Sequence, residues 1–269
     1  MTRVIVHAGF HKTGTSSLQV YLRGNRDALQ EHVKIYLKAD FLSAGNLGRV
    51  YGLKPYPWRR RWFAAALRAF LTKIPDDEVI FLSWEGFSGV MPGHRRAITG
   101  QISNYTRTAI PLARSISAEL RRRFGPDTEV EFLYTLRRSE PWVRSVYGHL
   151  VRSIRITDEF EGFRDSFRPV PDLEKEAAKI TRALRPVPVH TAWLEDIGPA
   201  REGPASVLFD LVDIPAEVRA ALPAAERANA GLSQDAEDTF LRLNREMDDA
   251  QKLKREKDRI AKADRQARA

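Results

Sequence analysis

Lys12 stands between two glycines, Gly9 and Gly14, and the residues after it carry hydroxyl groups: Thr13, Thr15, Ser16 and Ser17. Glycine reaches backbone angles that side chains forbid, so the amides from Thr13 to Ser17 can converge on an anion at the start of a helix. The Lys12 ammonium adds a point charge at the mouth, and the hydroxyls can cap the helix or donate to phosphate oxygens. This is the chemistry of a phosphate cradle. A Walker A loop sets its lysine directly after the last glycine, whereas Lys12 lies two positions before Gly14 and so enters from the other side.

Three strands are needed to position such a site. Val4 to Val6 is a short β-branched run that glycine ends, as suits a buried parallel strand. A second run, Val79 to Leu82, ends in Ser83-Trp84-Glu85-Gly86, and a third, Glu129 to Leu136, leads straight into Arg137. Ligands of open parallel sheets bind outside the carboxyl ends of strands, which makes Glu85 a candidate acid or base and Arg137 a candidate anion ligand. After Arg137 the pattern predicts a helix capped by Ser139, with Pro141 in its first turn and a stripe of Val143, Val146, Leu150 and Ile154. Residues 41–57 and 86–100, punctuated by glycine and proline, read as a surface loop and a mobile loop.

Lys-Thr-Gly-Thr-Ser-Ser-Leu-Gln, from Lys12 to Gln19, resembles the 5′-phosphosulfate loop of sulfotransferases that use 3′-phosphoadenosine-5′-phosphosulfate (PAPS). Arg137, with Ser145 eight positions later and Tyr147 beyond it, resembles the pair that grips the 3′-phosphate in that family. As a fold pattern the resemblance spans most of the chain, with these two motifs as its specific part. It implies an α/β fold of P-loop type, a three-layer sandwich whose mainly parallel sheet carries helices on both faces. It also implies sulfuryl transfer from PAPS to a hydroxyl or amine, leaving 3′,5′-adenosine bisphosphate, with no metal. On that resemblance His11, Lys12, Thr13, Gly14, Thr15, Ser16 and Ser17 hold the 5′ group, and Arg137 and Ser145 the 3′-phosphate. Lys12 stabilises the departing phosphate. Glu85 is the first candidate for the base, with His149 and His11 behind it. Glu226 to Ser233 looks like a late segment of bacterial members, in which Arg227 is a further cofactor candidate.

The 269 residues suffice for a sizeable core, and the absence of cysteine excludes disulfides and thiolate chemistry. A net charge of +9 favours anionic partners: nucleic acid, a membrane surface, or a charged small ligand or glycan. Basic loops favour an anionic glycan or lipid-linked saccharide as acceptor, with a small phenol or amine also open. Trp58-Arg-Arg-Arg-Trp62 reads either as a contact for an acidic substrate or nucleic acid, or as a helix start whose arginines face water. Two other functions fit parts of the pattern. A nucleotide-dependent kinase is opposed by the lysine position, and a nucleic-acid-binding protein lacks a helix-turn-helix or RNP-like motif. The expected organisation is a domain over 1–233 and one long, charged, solvated C-terminal helix over 234–269. The first strand starts almost at once and Trp62 to Leu71 is too short to cross a bilayer, so a cytoplasmic protein without a membrane span is expected.

Overall fold

A computed structural model describes residues 1–96, 100–226, 231 and 233–267. Arg227 lies outside the described residues, as do three of its four nearest successors, so the late-segment expectation falls there. The sheet strands are β1 (Arg3–His7), β2 (Lys34–Leu37), β3 (Val79–Ser83), β6 (Glu129–Leu136) and β7 (Val189–Trp193), with β4 (Arg95–Arg96) and β5 (Gly100–Gln101) forming a separate antiparallel pair. Helices fill the connections. α1 (Thr15–Gly24) and α2 (Arg26–Leu29) follow β1, α3 (Leu42–Leu53) and α4 (Pro57–Leu71) follow β2, and α5 (Thr106–Phe124) follows β5. α6 (Ser139–Ser153), α7 (Phe160–Asp165) and α8 (Leu173–Leu184) join β6 to β7. Beyond β7 come α9 (Leu194–Ile197), α10 (Ser206–Leu211), α11 (Ala216–Ala221), α12 (Gln234–Glu246) and α13 (Ala250–Ala267).

The sheet order is β2-β3-β1-β6-β7 and every neighbouring pair is parallel. Its central strands β1, β3 and β6 are largely apolar on both sides because both sides are covered, whereas the edge strand β7 is only half-buried. Val4, Val6, Ile80, Leu82, Phe132 and Tyr134 enter one apolar cluster, while Ile5, Phe81 and Leu133 enter another with Leu18, Leu22, Leu208 and Phe209. From β1 the chain travels to the β2 edge, returns through β3, and then crosses to β6 on the far side. Connections therefore diverge at the ends of β1 and β3, where parallel sheets leave a crevice. His7 is level with Ser83 in that register, so both strand ends finish at the crevice.

Four expectations are corrected. Residues 42–53 are helix α3 rather than loop, because their glycines serve packing: Gly45 faces Trp84, Gly48 faces the Gly86 carbonyl and Gly52 the Val90 amide. A Cβ on Gly45 would lie 1.4 Å from Trp84 Cζ3, and Trp84 is itself buried. Gly45→Ala is expected to destabilise the fold by about 3 kcal/mol, read as a lowered urea midpoint at unchanged slope. Residues 86–93 are buried against α3 and α5 and not a free loop. Ser139 is the first helical residue of α6 and makes no cap bond; its hydroxyl donates to Pro171 O at 3.4 Å. Beyond 234 there are two helices, broken at 247–249, where Asp249 Oδ1 accepts from the amides of Gln251 and Lys252 and starts α13 anew. They dock on the body through Phe240, Leu253, Lys257 and Ala261, all buried.

Candidate functional site

The loop from Ala8 to Gly14 is held from behind by its carbonyls. Ser88 Oγ donates to Ala8 O, Thr13 Oγ1 to Phe10 O at 2.6 Å, Trp142 Nε1 to His11 O at 2.9 Å, and Arg137 Nη1 to Lys12 O at 3.2 Å. The His11 amide is held as well, donating to Tyr105 Oη at 3.1 Å, so carbonyl and amide bonds together fix the loop's shape. Lys12 and Gly14 take left-handed backbone angles, φ 67° and 92°, which make the tight turn into α1. Gly14 caps α1 without a side chain, so the first-turn amides of Thr15 and Ser16 have no acceptor within the helix. Those amides and the positive end of the helix favour an anion. Thr15 Oγ1 is buried and unpartnered, an orphan polar atom at the helix start that a phosphate or sulfate oxygen would satisfy.

Beneath the loop runs a buried polar chain centred on His7. Gln19 Nε2 lies 3.2 Å from Ser83 Oγ, Ser83 Oγ 2.8 Å from His7 Nδ1, His7 Nε2 3.3 Å from Thr135 Oγ1, and Thr135 Oγ1 2.7 Å from Thr13 Oγ1. One assignment lets every group donate once. Gln19 donates to Ser83, Ser83 to His7 Nδ1, His7 Nε2–H to Thr135, Thr135 to Thr13, and Thr13 to the Phe10 carbonyl. That requires neutral His7, and its complete burial lowers the imidazole pKa to about 3. The chain ties the ends of β1, β3 and β6 to α1 and to the loop, and a Cβ on Gly9 would meet His7 Nε2 at 2.3 Å.

The second junction meets the first. Because β6 pairs directly with β1, Arg137 emerges beside the loop and touches Lys12 through its carbonyl. Along α6, Trp142, Ser145, His149 and Arg152 recur at helical spacing on one face, and Trp142 fixes that face against His11. Ser145 is half-buried, with no hydrogen-bond partner among the described residues. Lys12 is held below its ordinary pKa by burial, and next by the Arg137 and Arg152 charges. Arg137 is lowered by desolvation, which the Glu195 charge opposes. Among the described residues no carboxylate pairs with Lys12. Glu195 faces Arg137 and Asp258 lies 3.9 Å from Arg152, which leaves the Lys12 ammonium as the uncompensated charge of the group and a place for an anion.

Three histidines border this region. His11 is pushed down to about 3, first by desolvation and then by His149, His94, Arg49 and Lys12, while its Nδ1 lies 3.3 Å from Tyr105 Oη. His94 is lowered to about 4 by burial and then by Arg49. His149 opens to solvent at a cleft and is also lowered to about 4, by desolvation first and then by Lys12, His94, Arg152 and Arg49. All three are therefore neutral at pH 7. Among the described residues they belong to no three-donor metal cluster. Glu85 opens the turn after β3, half-buried and unpaired among the described residues, and its charge reaches Tyr105, the partner of His11.

No protein-family model and no curated protein matches the chain. What the sequence offered as candidate ligands, from His11 to Ser17 together with Arg137, the structure gathers beyond the carboxyl ends of the neighbouring strands β1 and β6, with Ser145 and His149 on the face of α6. Reading the sequence missed His7, Tyr105, Thr135 and Trp142. His7 left a signal, a polar residue closing an apolar strand. The other three left none, since their roles follow from contacts distant in the chain.

Proposed function

We propose that this protein is a PAPS-dependent sulfotransferase on a P-loop-type scaffold, transferring a sulfuryl group to the hydroxyl or amine of an acceptor. One observation carries the reading. Two separate strand-to-helix junctions, each with the residues expected for one end of PAPS, converge at the contact of Arg137 with Lys12 O. The donor would supply a sulfuryl group on a phosphate leaving group. Thr15 and Ser16 amides, the orphan Thr15 hydroxyl and Lys12 would hold the 5′ end, and the Arg137 guanidinium with the Ser145 hydroxyl the 3′-phosphate.

In the transfer, the bond from sulfur to the bridging phosphate oxygen breaks and a bond from sulfur to the acceptor forms. Lys12 neutralises the charge growing on the bridging oxygen, and it is effective because it is already desolvated and committed to no carboxylate. The acceptor proton passes to Glu85 or to His149, which is neutral at pH 7. His149 also borders a cleft of about 510 Å³ between α6 and α13, lined by Arg152, Arg155, Lys254 and Lys257; Arg152 faces Asp258 at 3.9 Å and Arg155 pairs with Asp248 at 3.0 Å, which leaves Lys254 and Lys257 without a carboxylate among the described residues. That surplus of cations supports an anionic acceptor such as an acidic saccharide.

Arg137→Ala is expected to weaken binding of 3′,5′-adenosine bisphosphate by about 10- to 100-fold, the loss of a charge-assisted fork on a phosphate. Calorimetric titration checks this, with 5′-AMP as control. AMP lacks the 3′-phosphate and should lose little affinity in the variant. Equal losses for the two nucleotides would remove Arg137 from the 3′ site.

A further inference from the structure

Helix α4 has an apolar face it does not need for folding. Phe63, Leu67 and Leu71 point inward and are buried, which is the one stripe a helix on a sheet requires. Opposite them, at i, i+4, i+7 and i+11, Trp58, Trp62, Ala65 and Ala69 are all exposed. Trp58 is 48% and Trp62 54% exposed, in a residue type that is highly buried on average. Tyr56 stacks on Trp58 with ring centroids 4.5 Å apart and planes 7° from parallel, giving a flat aromatic plate at the head of the stripe. Of the six exposed large apolar side chains among the described residues, three fall between 56 and 62. The solvated helix start expected from the sequence has its arginines outward, but its tryptophans are outward too.

The charge carried by α4 itself is of one sign. α4 contains Arg59, Arg60, Arg61 and Arg68 and no carboxylate. Arg68 pairs with Glu119, and Arg59 lies over the Tyr56 ring and donates to Val50 O. Arg61, three residues after Trp58, flanks the stripe; it is exposed and has no acidic partner among the described residues, and exposed Lys54 lies just before the helix. The stripe lies on the outer face of the helix, open to solvent. Indole rings partition to the headgroup level of bilayers, and arginines beside them attract anionic lipids.

We propose that the outer face of α4, with Tyr56, Trp58 and Trp62 as anchors and Arg61 as a headgroup ligand at its flank, docks this protein on an anionic lipid bilayer. No helix among the described residues is long and apolar enough to cross a membrane, so the attachment is peripheral. It is independent of the sulfotransferase reading, because it uses none of the loop residues.

The test is co-sedimentation of the full chain with vesicles of phosphatidylcholine alone and of phosphatidylcholine with phosphatidylglycerol. The unaltered protein should bind the anionic vesicles with a blue shift of its tryptophan emission. Trp58→Ala/Trp62→Ala keeps every charge and removes no core contact, and it should bind at least about tenfold more weakly. Arg61→Gln should bind more weakly and with a shallower salt dependence. Equal binding by the tryptophan variant would overturn the proposal, leaving attraction by net charge alone. So would failure of the unaltered protein to bind anionic vesicles, or loss of affinity for single-stranded RNA in the tryptophan variant with vesicle binding retained.

Discussion

Lys12→Ala is expected to transfer sulfuryl groups on the order of 100- to 1,000-fold more slowly than the unaltered protein, with its melting temperature nearly unchanged. The expectation combines three features of the lysine. Its ammonium sits at the mouth of an amide-lined turn, it is partly desolvated, and no carboxylate pairs with it among the described residues. A desolvated cation stabilises developing negative charge far better than one in water, so its loss falls on the transition state. Stability should hardly move, because alanine inherits the left-handed backbone that lysine already tolerates and Lys12 contributes its carbonyl, not its side chain, to Arg137. The measurement is release of 3′,5′-adenosine bisphosphate from PAPS with an acidic oligosaccharide acceptor. A rate within a factor of about three of the unaltered protein would remove Lys12 from the chemistry.

His7→Leu is expected to lower stability by about 3 kcal/mol, the penalty for stranding the Ser83 hydroxyl and the Thr135 oxygen in a site without water. Leucine has the apolar bulk the position accepts, so the loss reports the hydrogen bonds and not a cavity. The pH dependence gives a second signature. His7 has a folded pKa of about 3 against an ordinary 6.5, so the unfolded chain binds the extra proton. Above pH 6.5 the imidazole is neutral in both states and its network is intact. Below that, stability falls by about 1.4 kcal/mol per pH unit on this group's account, until the pH reaches about 3. His11, His94 and His149 are shifted in the same direction. Urea unfolding between pH 4 and 7 should therefore show a slope in His7→Leu shallower by about one proton. An unchanged slope would mean that His7 is charged in the folded state and that the donor chain drawn beneath the loop is wrong.

The three central strands were legible because parallel strands buried on both faces read as apolar runs, unbroken in Val4 to Val6 and Val79 to Leu82, and in Glu129 to Leu136 alternating at first and then apolar. The loop was legible for the same local reason: a strand, two glycines and a helix start within seventeen residues fix where an anion would sit. Helix α3 was not, since Gly45, Gly48 and Gly52 imitate loop composition while serving a close approach to residues 84–90. The break between α12 and α13 was hidden because Asp248-Asp249 is equally at home in a charged helix and at a cap. What supports the loop was the least legible part. Tyr105, Thr135 and Trp142 reach it from 94, 122 and 131 positions away, and no spacing rule spans that distance.

The most direct test of the central claim is calorimetric titration of the full chain with 3′,5′-adenosine bisphosphate, and separately with ATP and magnesium. The account predicts micromolar or tighter binding of the bisphosphate, about −8 kcal/mol, and little response to magnesium-ATP. Preference for magnesium-ATP would contradict it in favour of a kinase, and no binding of either would leave the loop without its proposed ligand.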